Sequence, residues 1–308
     1  MVLEEPVVGR ASDPFQYGAY HGLLRATLHL PVRAKAVAPN PSGSGDQYLA
    51  PFFYLARQRY DLVIAVGTLE SGAISRTARR FPDEKFALLD GTRQDVRNSP
   101  ANVEGTVFHT EQAAYLAGVV AARMADRRPP PHVVSSVAGV PIPAVQAYVA
   151  GFQAGARRAD PEIRLLNEYS YDFLNPAKCE HAALDEIAHG SQVVFDVAGA
   201  CGYGALEAAK LKGVFGVGVD IDQSYLGKFI LTSVLKNLNL AVYDLARRLV
   251  DGRLPTGGNL SFDLRNHGVS LGKFSPDVPL TLRRQLVRLA AQIEHGKIVV
   301  PTKVSPSR

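Results

Sequence analysis

Residues 192–210 read QVVFDVAGACGYGALEAAK and combine a mainly apolar run, a glycine-rich turn and a helical continuation. The run at 192–197 has the length of a buried strand, and it ends in Ala198-Gly199. The residues at 205–210 continue with helical character. A strand that leads through a tight turn into a helix is the repeating unit of parallel sheets.

The same order recurs on both sides of this stretch. Toward the N-terminus the pattern predicts strands at 61–66 and 85–89, helices at 17–30, 49–59 and 71–80, and a polar loop at 40–46. From residue 111 onward it predicts further strands at 132–137, 163–169 and 214–219, with helices at 111–125, 144–158, 176–189 and 238–250. Two such series predict two similar α/β lobes, whose parallel sheets are covered on both faces by helices. Ligands of open α/β sheets bind at the carboxyl ends of the strands, so the loops there are the candidate site.

Composition favours a soluble two-lobed chain, because 308 residues exceed one typical core. The net charge of +5 raises the question of nucleic-acid binding. The basic residues are scattered, however, and the two densest groups fall on a predicted helix and at a helix end, so no direct nucleic-acid binding is expected. These groups are Arg76, Arg79 and Arg80, and Arg123, Arg127 and Arg128.

Targeting signals are not visible in this sequence. No apolar run reaches the roughly 18 residues of a membrane span. The first residues, MVLEEPVVGRASDPF, carry neither a signal peptide nor a cysteine for a lipid. The expectation from these residues is a cytoplasmic protein if the sequence is complete; otherwise an export segment is missing from it.

Catalytic and metal motifs give no enzyme assignment. Asp90, Asp220 and Asp222 follow predicted strands, but nothing fixes the separation that paired carboxylate catalysis needs. The sequence contains no GxSxG, HExxH, Walker A or zinc spacing. Cys201, in GACGYG, is either a thiol activated at a helix N-terminus or part of a turn that lets backbone approach a ligand; the turn is favoured. We therefore predict no catalysis, no cofactor and no metal site.

Two further features leave alternatives open. Cys179 and Cys201 can form one disulfide, although two buried or half-buried thiols are the favoured interpretation. Phe15 and Phe173 fall in predicted polar loops before helices. Their rings either pack into the core or stack on a flat ligand.

Several motifs together resemble one family in order and spacing. They include HTEQAAYLAGVVAARM (109–124), PAVQAYVAGFQAG (143–155), DFLNPAK (172–178), GVDIDQSYLG (218–227) and TSVLK (232–236). This set, which covers nearly the whole chain, resembles the basic membrane protein (BMP) family of PnrA-like, purine nucleoside-binding components of ABC transporters. GVDIDQSYL and TSVLK are its most specific parts.

The resemblance implies a type I periplasmic-binding-protein fold with two Rossmann-like lobes around a ligand cleft. The implied N-lobe is 1–108 plus about 237–265, and the implied C-lobe is 109–236 plus about 266–308. The family implies a nucleoside or related small molecule as ligand, an ABC permease as possible partner, and an extracytoplasmic, membrane-associated location.

The family's ligand contacts carry over onto matching positions. By resemblance, Phe15 and Phe173 stack on the ligand from either side, Gly199 brings backbone to it, Asp220 accepts the ribose hydroxyls and Lys236 lies at its edge. Asp90 matches an acidic N-lobe contact, and Gln16 stands where the family has Asn after its Phe. Two family aspartates are replaced, by Pro6 and Pro141, which puts base recognition in doubt.

Structural roles compete with several of these assignments. Asp220 is also placed to cap a turn. Lys236 could instead form a surface ion pair, and Gly199 and Gly202 could serve only to form tight turns. Asp222 is favoured as a turn former.

The sequence therefore predicts a solute-binding protein of an ABC-type importer that closes on a nucleoside-like molecule. The alternative is a cytoplasmic ligand-sensing effector domain of the same fold. A nucleoside hydrolase or phosphorylase is disfavoured, because the sequence lacks an Asp-rich metal cluster and a phosphate loop.

Overall fold

The computed structural model describes residues 1–9, 12–39 and 47–304, which form two compact units. The first unit contains Met1–Phe108 and Asn237–Phe262, and the second contains His109–Lys236 and Asp263–Arg308. The chain thus passes from one unit to the other three times. The polar loop predicted at 40–46 lies outside the described residues.

Short strands of mostly buried, β-branched and other apolar residues form the two sheets. In chain order they are β1 (Leu62–Val66), β2 (Lys85–Leu89), β3 (Val103–Phe108), β4 (Val133–Ala138), β5 (Arg164–Tyr169), β6 (Val193–Val197), β7 (Phe215–Asp220), β8 (Ile230–Lys236), β9 (Asn259–Phe262) and β10 (Val269–Leu271).

Helices connect most of these strands. In chain order they are α1 (Pro14–His29), α2 (Leu49–Arg57), α3 (Ser71–Arg80), α4 (Thr110–Ala125), α5 (Pro143–Ala159), α6 (Pro176–Ala188), α7 (Gly202–Leu211), α8 (Leu238–Val250) and α9 (Leu280–Glu294). No helix in the described ranges has the length and apolar character needed to cross a membrane.

The sheet of the first unit has the strand order β1-β2-β3-β9, and every pair in it is parallel. The N-terminal segment extends this sheet beside β1. The Val2 amide donates to the Ile64 carbonyl (2.8 Å), and Val2 also forms a β-bridge with Val37. The apolar pair Val7-Val8 lies outside the strands, and Val2 forms the edge contact instead. The burial of Val2 explains the difference, since its side chain joins the core of this unit.

The sheet of the second unit has the order β10-β8-β7-β6-β4-β5, and β10 is its antiparallel strand. Helices α4 and α5 of this unit pack closely against each other. A Cβ at Gly155 would lie 1.9 Å from the carbonyl oxygen of Tyr115, so a side chain there would force the two helices apart. This contact explains why small residues recur in AAYLAGVVAARM and AYVAGFQAGA.

The α/β class with parallel sheets is confirmed, and most predicted strands begin and end within one or two residues of the observed ones. The prediction that Phe15 precedes a helix is wrong, because α1 already begins at Pro14 under the Asp13 cap. Helix α7 begins at Gly202, inside the turn that was predicted to precede it. The strand patterns of β3, β8, β9 and β10 and the helix α9 were not predicted.

Candidate functional site

Four parallel strands of the second unit end side by side at one edge of the sheet. They are β8, β7, β6 and β4, which are consecutive neighbours in the sheet. Lys236 ends β8, Asp220 ends β7, Gly199 follows β6 and Gly139 follows β4. The topology therefore gathers three of the predicted ligand contacts at the edge where open α/β sheets bind ligands.

Asp220 and Lys236 are buried and share one neighbour, Tyr148 on α5. The Tyr148 hydroxyl donates to Asp220 Oδ1 over 2.8 Å, and Lys236 Nζ lies 5.0 Å from the centre of the Tyr148 ring. Lys236 is only 4% exposed, which excludes a surface ion pair. Burying an acidic and a basic side chain is costly unless they are paired or hydrogen-bonded, so their presence at a strand edge makes this position the candidate site.

Tyr148 was not predicted as a site residue. Its ring packs edge-on to Phe195 of β6 (6.1 Å between centres), and this contact holds it at the strand ends. The sequence carried a weak signal, because this tyrosine interrupts the small apolar residues of PAVQAYVAGFQAG. Nothing in that spacing indicates contact with residues more than 70 positions away.

The loop after Asp220 is fixed by buried polar contacts. Gln223 Oε1 accepts from the Val219 backbone amide (2.8 Å), while the backbone amide of Gln223 donates to Ser233 Oγ (3.0 Å). Asp222 Oδ1 accepts from the Ser224 amide (3.2 Å), so Asp222 shapes the turn. Asp220 itself has a φ of +61°, a left-handed conformation that is uncommon for a residue other than glycine and recurs at functional sites.

Phe173 lies in the loop after β5, half-buried, with its ring against Gly139. A Cβ at Gly139 would lie 2.2 Å from Phe173 Cε1, so the ring occupies the space that a larger residue would fill. Asp172 holds this loop: its Oδ1 accepts from the amides of Leu174 (2.8 Å) and Asn175 (3.0 Å), and its Oδ2 pairs with Lys178 (2.9 Å). The Lys178 contact and these amides lower the pKa of Asp172 to about 2.

A disulfide joins this loop region to the glycine-rich turn. Cys179 of α6 is bonded to Cys201, with Cα atoms 5.5 Å apart, and the Cys201 amide donates to the Phe173 carbonyl (2.8 Å). The preference for two unpaired thiols is therefore wrong. The sequence separation of 22 positions gave no measure of the distance between the cysteines, whereas the packing of α6 against α7 brings them together. Gly199, in the same turn, has a φ of +56°, which glycine adopts without steric cost.

The first unit places Phe15 at the carboxyl end of β1. Phe15 is the second residue of α1, and its ring lies beside Gly67, where a Cβ would come within 3.3 Å of Cε1. Asp13 caps the helix, because its Oδ1 accepts from the amides of Phe15 (2.8 Å) and Gln16 (3.0 Å). The Asp13-Pro14 pair thus begins the helix and fixes the ring at the strand end.

Gln16 and Glu4 belong to the same region. The Gln16 side chain is buried and its Oε1 accepts from the Glu4 amide (3.2 Å), so Gln16 positions the N-terminal segment. Glu4 Oε1 lies 3.1 Å from the Cβ position of Gly67, on the side where Phe15 packs. Burial, with a smaller effect from Asp13, raises the pKa of Glu4 to about 8. The sequence did not single out Glu4, because a lone acidic residue near a chain end carries no pattern.

Asp90 follows β2, the strand next to β1. Its amide donates to Thr106 Oγ1 (3.1 Å), and its φ is +58°. The Gly67 amide donates to the Leu89 carbonyl (3.1 Å), so the residues that follow β1 and β2 are neighbours in the sheet. In the first unit the structure therefore places Phe15, Gln16 and Asp90 at one sheet edge.

Comparison with known proteins identifies the family of this chain. The family described as ABC transporter substrate-binding protein, PnrA-like, matches residues 7–303. The chain belongs to this family. The resemblance to the basic membrane protein family is thereby confirmed, and the family is one of substrate-binding proteins.

Individual relatives point the same way. The chain is 28% identical over 280 residues to the ABC transporter nucleoside-binding protein BmpA of Lactococcus lactis, covering 85% of this chain and 77% of that protein. It superposes on a solute-binding protein of an ABC transporter system from Aeropyrum pernix with a TM-score of 0.83 and 24% identity, covering 97% and 92% of the two chains. This likeness confirms the type I periplasmic-binding-protein fold.

A second solved structure has a different described role. A transcriptional activator of the comK gene from Bacillus halodurans matches with a TM-score of 0.77 and 27% identity, covering 92% of this chain and 95% of that one.

Proposed function

We propose that the chain is the solute-binding component of an ABC-type importer and that it binds a nucleoside or a closely related molecule. The observation that carries the proposal is the group of Asp220, Tyr148 and Lys236 at the strand ends of the second unit. A carboxylate offers about four lone-pair sites, so Asp220 accepts the Tyr148 hydroxyl and retains capacity for sugar hydroxyls. Membership of a family that includes a nucleoside-binding protein supports this reading.

The two phenylalanines supply the apolar part of the proposed site. Phe173 and Phe15 each lie against a glycine that follows a strand, Gly139 and Gly67 respectively. We propose that each of these rings stacks on a flat base. Stacking of one ring on a base is worth about 1–3 kcal/mol, which is a large share of micromolar affinity. Gly199 and Asp90 are the proposed backbone and acidic contacts that complete the set.

The disulfide bears on the choice between importer and sensor. Disulfides persist in oxidising compartments and are rare in the cytosol. The Cys179–Cys201 bond therefore favours an extracytoplasmic protein that delivers its ligand to a permease. A cytoplasmic ligand-sensing domain, the alternative from the sequence, would be expected to hold these residues as thiols. Alkylation of the protein recovered from its native cells under denaturing conditions, with and without reductant, separates the two.

Ligand binding is tested by a thermal-shift screen against nucleosides, free bases and ribose, followed by calorimetry on each hit. A ligand that binds only the folded chain raises Tm by mass action. Phe173→Ala is expected to weaken binding about 5- to 150-fold, the equivalent of one stacked base. Asp220→Asn is expected to weaken nucleoside binding more than binding of the free base.

The matched control is Tyr54→Ala, which removes an exposed ring of α2 that belongs to neither set of proposed contacts. Its affinity should equal that of the unaltered chain. Nucleoside affinity that both site variants retain would refute the proposed site. Release of free base from a bound nucleoside would instead identify an enzyme.

A further inference from the structure

Three side chains of ligand type meet at the opposite, amino edge of the second sheet. They are Asp126 after α4, His132 before β4 and Asp160 after α5, and we call them the amino-edge cluster. His132 Nδ1 lies 3.4 Å from Asp126 Oδ1 and 3.7 Å from Asp160 Oδ2. The side chains are 28%, 28% and 19% exposed for His132, Asp126 and Asp160, so solvent reaches all three.

These separations are too long for direct hydrogen bonds. An N–H···O bond spans about 2.7–3.2 Å, and both oxygens lie beyond that range from the same nitrogen. Two ligand atoms on a tetrahedral Zn²⁺ with bonds of about 2.0–2.2 Å lie about 3.3–3.6 Å apart. The two separations from His132 Nδ1 are close to this spacing, and the ligand atoms of the three residues all lie within 4.8 Å of one another.

The remaining carboxylate oxygens have other partners. Asp126 Oδ2 accepts from Arg123 Nη1 (3.2 Å), and Asp160 Oδ1 accepts from the Glu162 amide (3.0 Å). Each carboxylate is thus held by one oxygen while the other is turned toward His132. Hydrogen bonds from neighbouring groups to the ligand residues orient the carboxylates of metal sites in the same way.

We propose that the amino-edge cluster binds one Zn²⁺ ion. One imidazole nitrogen and two carboxylate oxygens form a set that Zn²⁺ accepts, and water would complete the tetrahedron. The ion would join the end of α4, the start of β4 and the end of α5. The inference does not rest on the proposed nucleoside site, whose residues in this unit lie at the carboxyl edge of the same sheet.

The test uses the tag-free full chain and measures Zn²⁺ binding by competition with a chromophoric chelator, together with Tm. We expect one equivalent to bind and Tm to rise with Zn²⁺. His132→Ala and Asp160→Asn should each weaken binding at least tenfold and abolish the Tm increase. Co²⁺ should give the visible absorption of a tetrahedral site in the unaltered chain and lose it in His132→Ala.

The matched control is His189→Ala. His189 Nδ1 also lies 3.4 Å from a carboxylate oxygen, that of Asp185. His189 has only this one carboxylate contact, however, and it is exposed at the end of α6. This variant should bind Zn²⁺ as the unaltered chain does. Absence of saturable binding, or binding that His132→Ala leaves unchanged, would overturn the proposal and leave the cluster as a contact between His132 and two carboxyl groups.

Discussion

The Tyr148 hydroxyl donates a 2.8 Å hydrogen bond to Oδ1 of Asp220, a buried residue with a left-handed backbone at the end of β7. Tyr148 belongs to α5 and is itself buried, so the bond ties a helix to the strand edge. A buried carboxyl group needs hydrogen-bond partners, and this bond fixes the orientation of the Asp220 side chain.

Tyr148→Phe should therefore weaken ligand binding about tenfold, because about 1.4 kcal/mol is the upper end of the usual net contribution of one hydrogen bond. The ring remains, so its packing on Phe195 and under Lys236 is kept. Calorimetry with the ligand found by screening measures the effect. Tyr115→Phe is the control, because Tyr115 is a buried tyrosine of α4 outside the proposed contacts. Equal affinities for the two variants would contradict a role for the Tyr148 hydroxyl.

The disulfide is expected to support both stability and binding. Cross-linking residues 22 positions apart stabilises a chain by about 3 kcal/mol in the chain-entropy treatment. The Cys179→Ala/Cys201→Ala double variant should lose about this much, measured by urea unfolding. Ligand affinity should fall as well, because the Cys201 amide holds the Phe173 carbonyl. Reductant should lower the affinity of the unaltered chain and leave that of the double variant unchanged; an effect on both would point to another cause.

The sequence predicted what depends on local periodicity and missed what depends on distant contacts. Buried strands such as LVIAV and KFALL were evident from their apolar runs. The position of the candidate ligand contacts at the carboxyl ends of such strands was also predictable. Strand β3 was missed because VEGTVF buries Glu104 and Thr106 and so lacks a clear apolar run.

Three-dimensional contacts explain the other differences. Two cysteines allow a disulfide, but their number says nothing about how α6 packs on α7. Tyr148 is a candidate site residue because of its hydrogen bond to Asp220 at the end of β7, a contact between residues distant in sequence. The family resemblance supplied candidate contacts, but it left out Glu4, which the fold carries to within reach of Phe15 and Gly67.

Gly139→Ala should separate binding from stability. The added methyl group would meet the Phe173 ring at 2.2 Å, and the ring belongs to a loop side chain that is able to move. We therefore expect ligand affinity to fall at least fivefold, the lower limit for the loss of one stacked base, while Tm changes by only a few degrees. Gly72→Ala is the control, because a Cβ there meets nothing within 4 Å. A large loss of Tm with unchanged affinity would show that Phe173 serves the core.

Glu186 should make the stability of the protein depend on pH. It is 3% exposed on α6, and neither of its carboxyl oxygens has a hydrogen-bond partner within the described part of the chain. Ser135 is close, but its hydroxyl bonds Ser191 instead (2.7 Å). Burial raises the pKa of Glu186 from 4.5 to about 8, an effect that Ser135 offsets only in part. The folded chain thus keeps a proton that the unfolded chain has already lost at neutral pH.

The free energy of unfolding should therefore fall as pH rises from about 4.5 to about 8, because the folded state binds more protons than the unfolded state in this window. The slope from one such group is at most about 1.4 kcal/mol per pH unit. Glu4, with its pKa also raised to about 8, adds a slope of the same sign from the first unit. Glu186→Gln should remove its own share and stabilise the chain by a few kcal/mol at pH 8, with little effect at pH 4.5.

Urea unfolding at pH 4.5, 6 and 8 measures this difference. Asp185→Asn is the matched control, since it neutralises the adjacent but exposed carboxylate of the same helix. That variant should keep most of the pH dependence of the unaltered chain, because burial raises the pKa of Glu186 more than the Asp185 charge does. If Glu186→Gln and Asp185→Asn gave the same profile, the buried carboxyl would be stabilised by contacts that lower its pKa, and the pH dependence would have to arise from Glu4 alone.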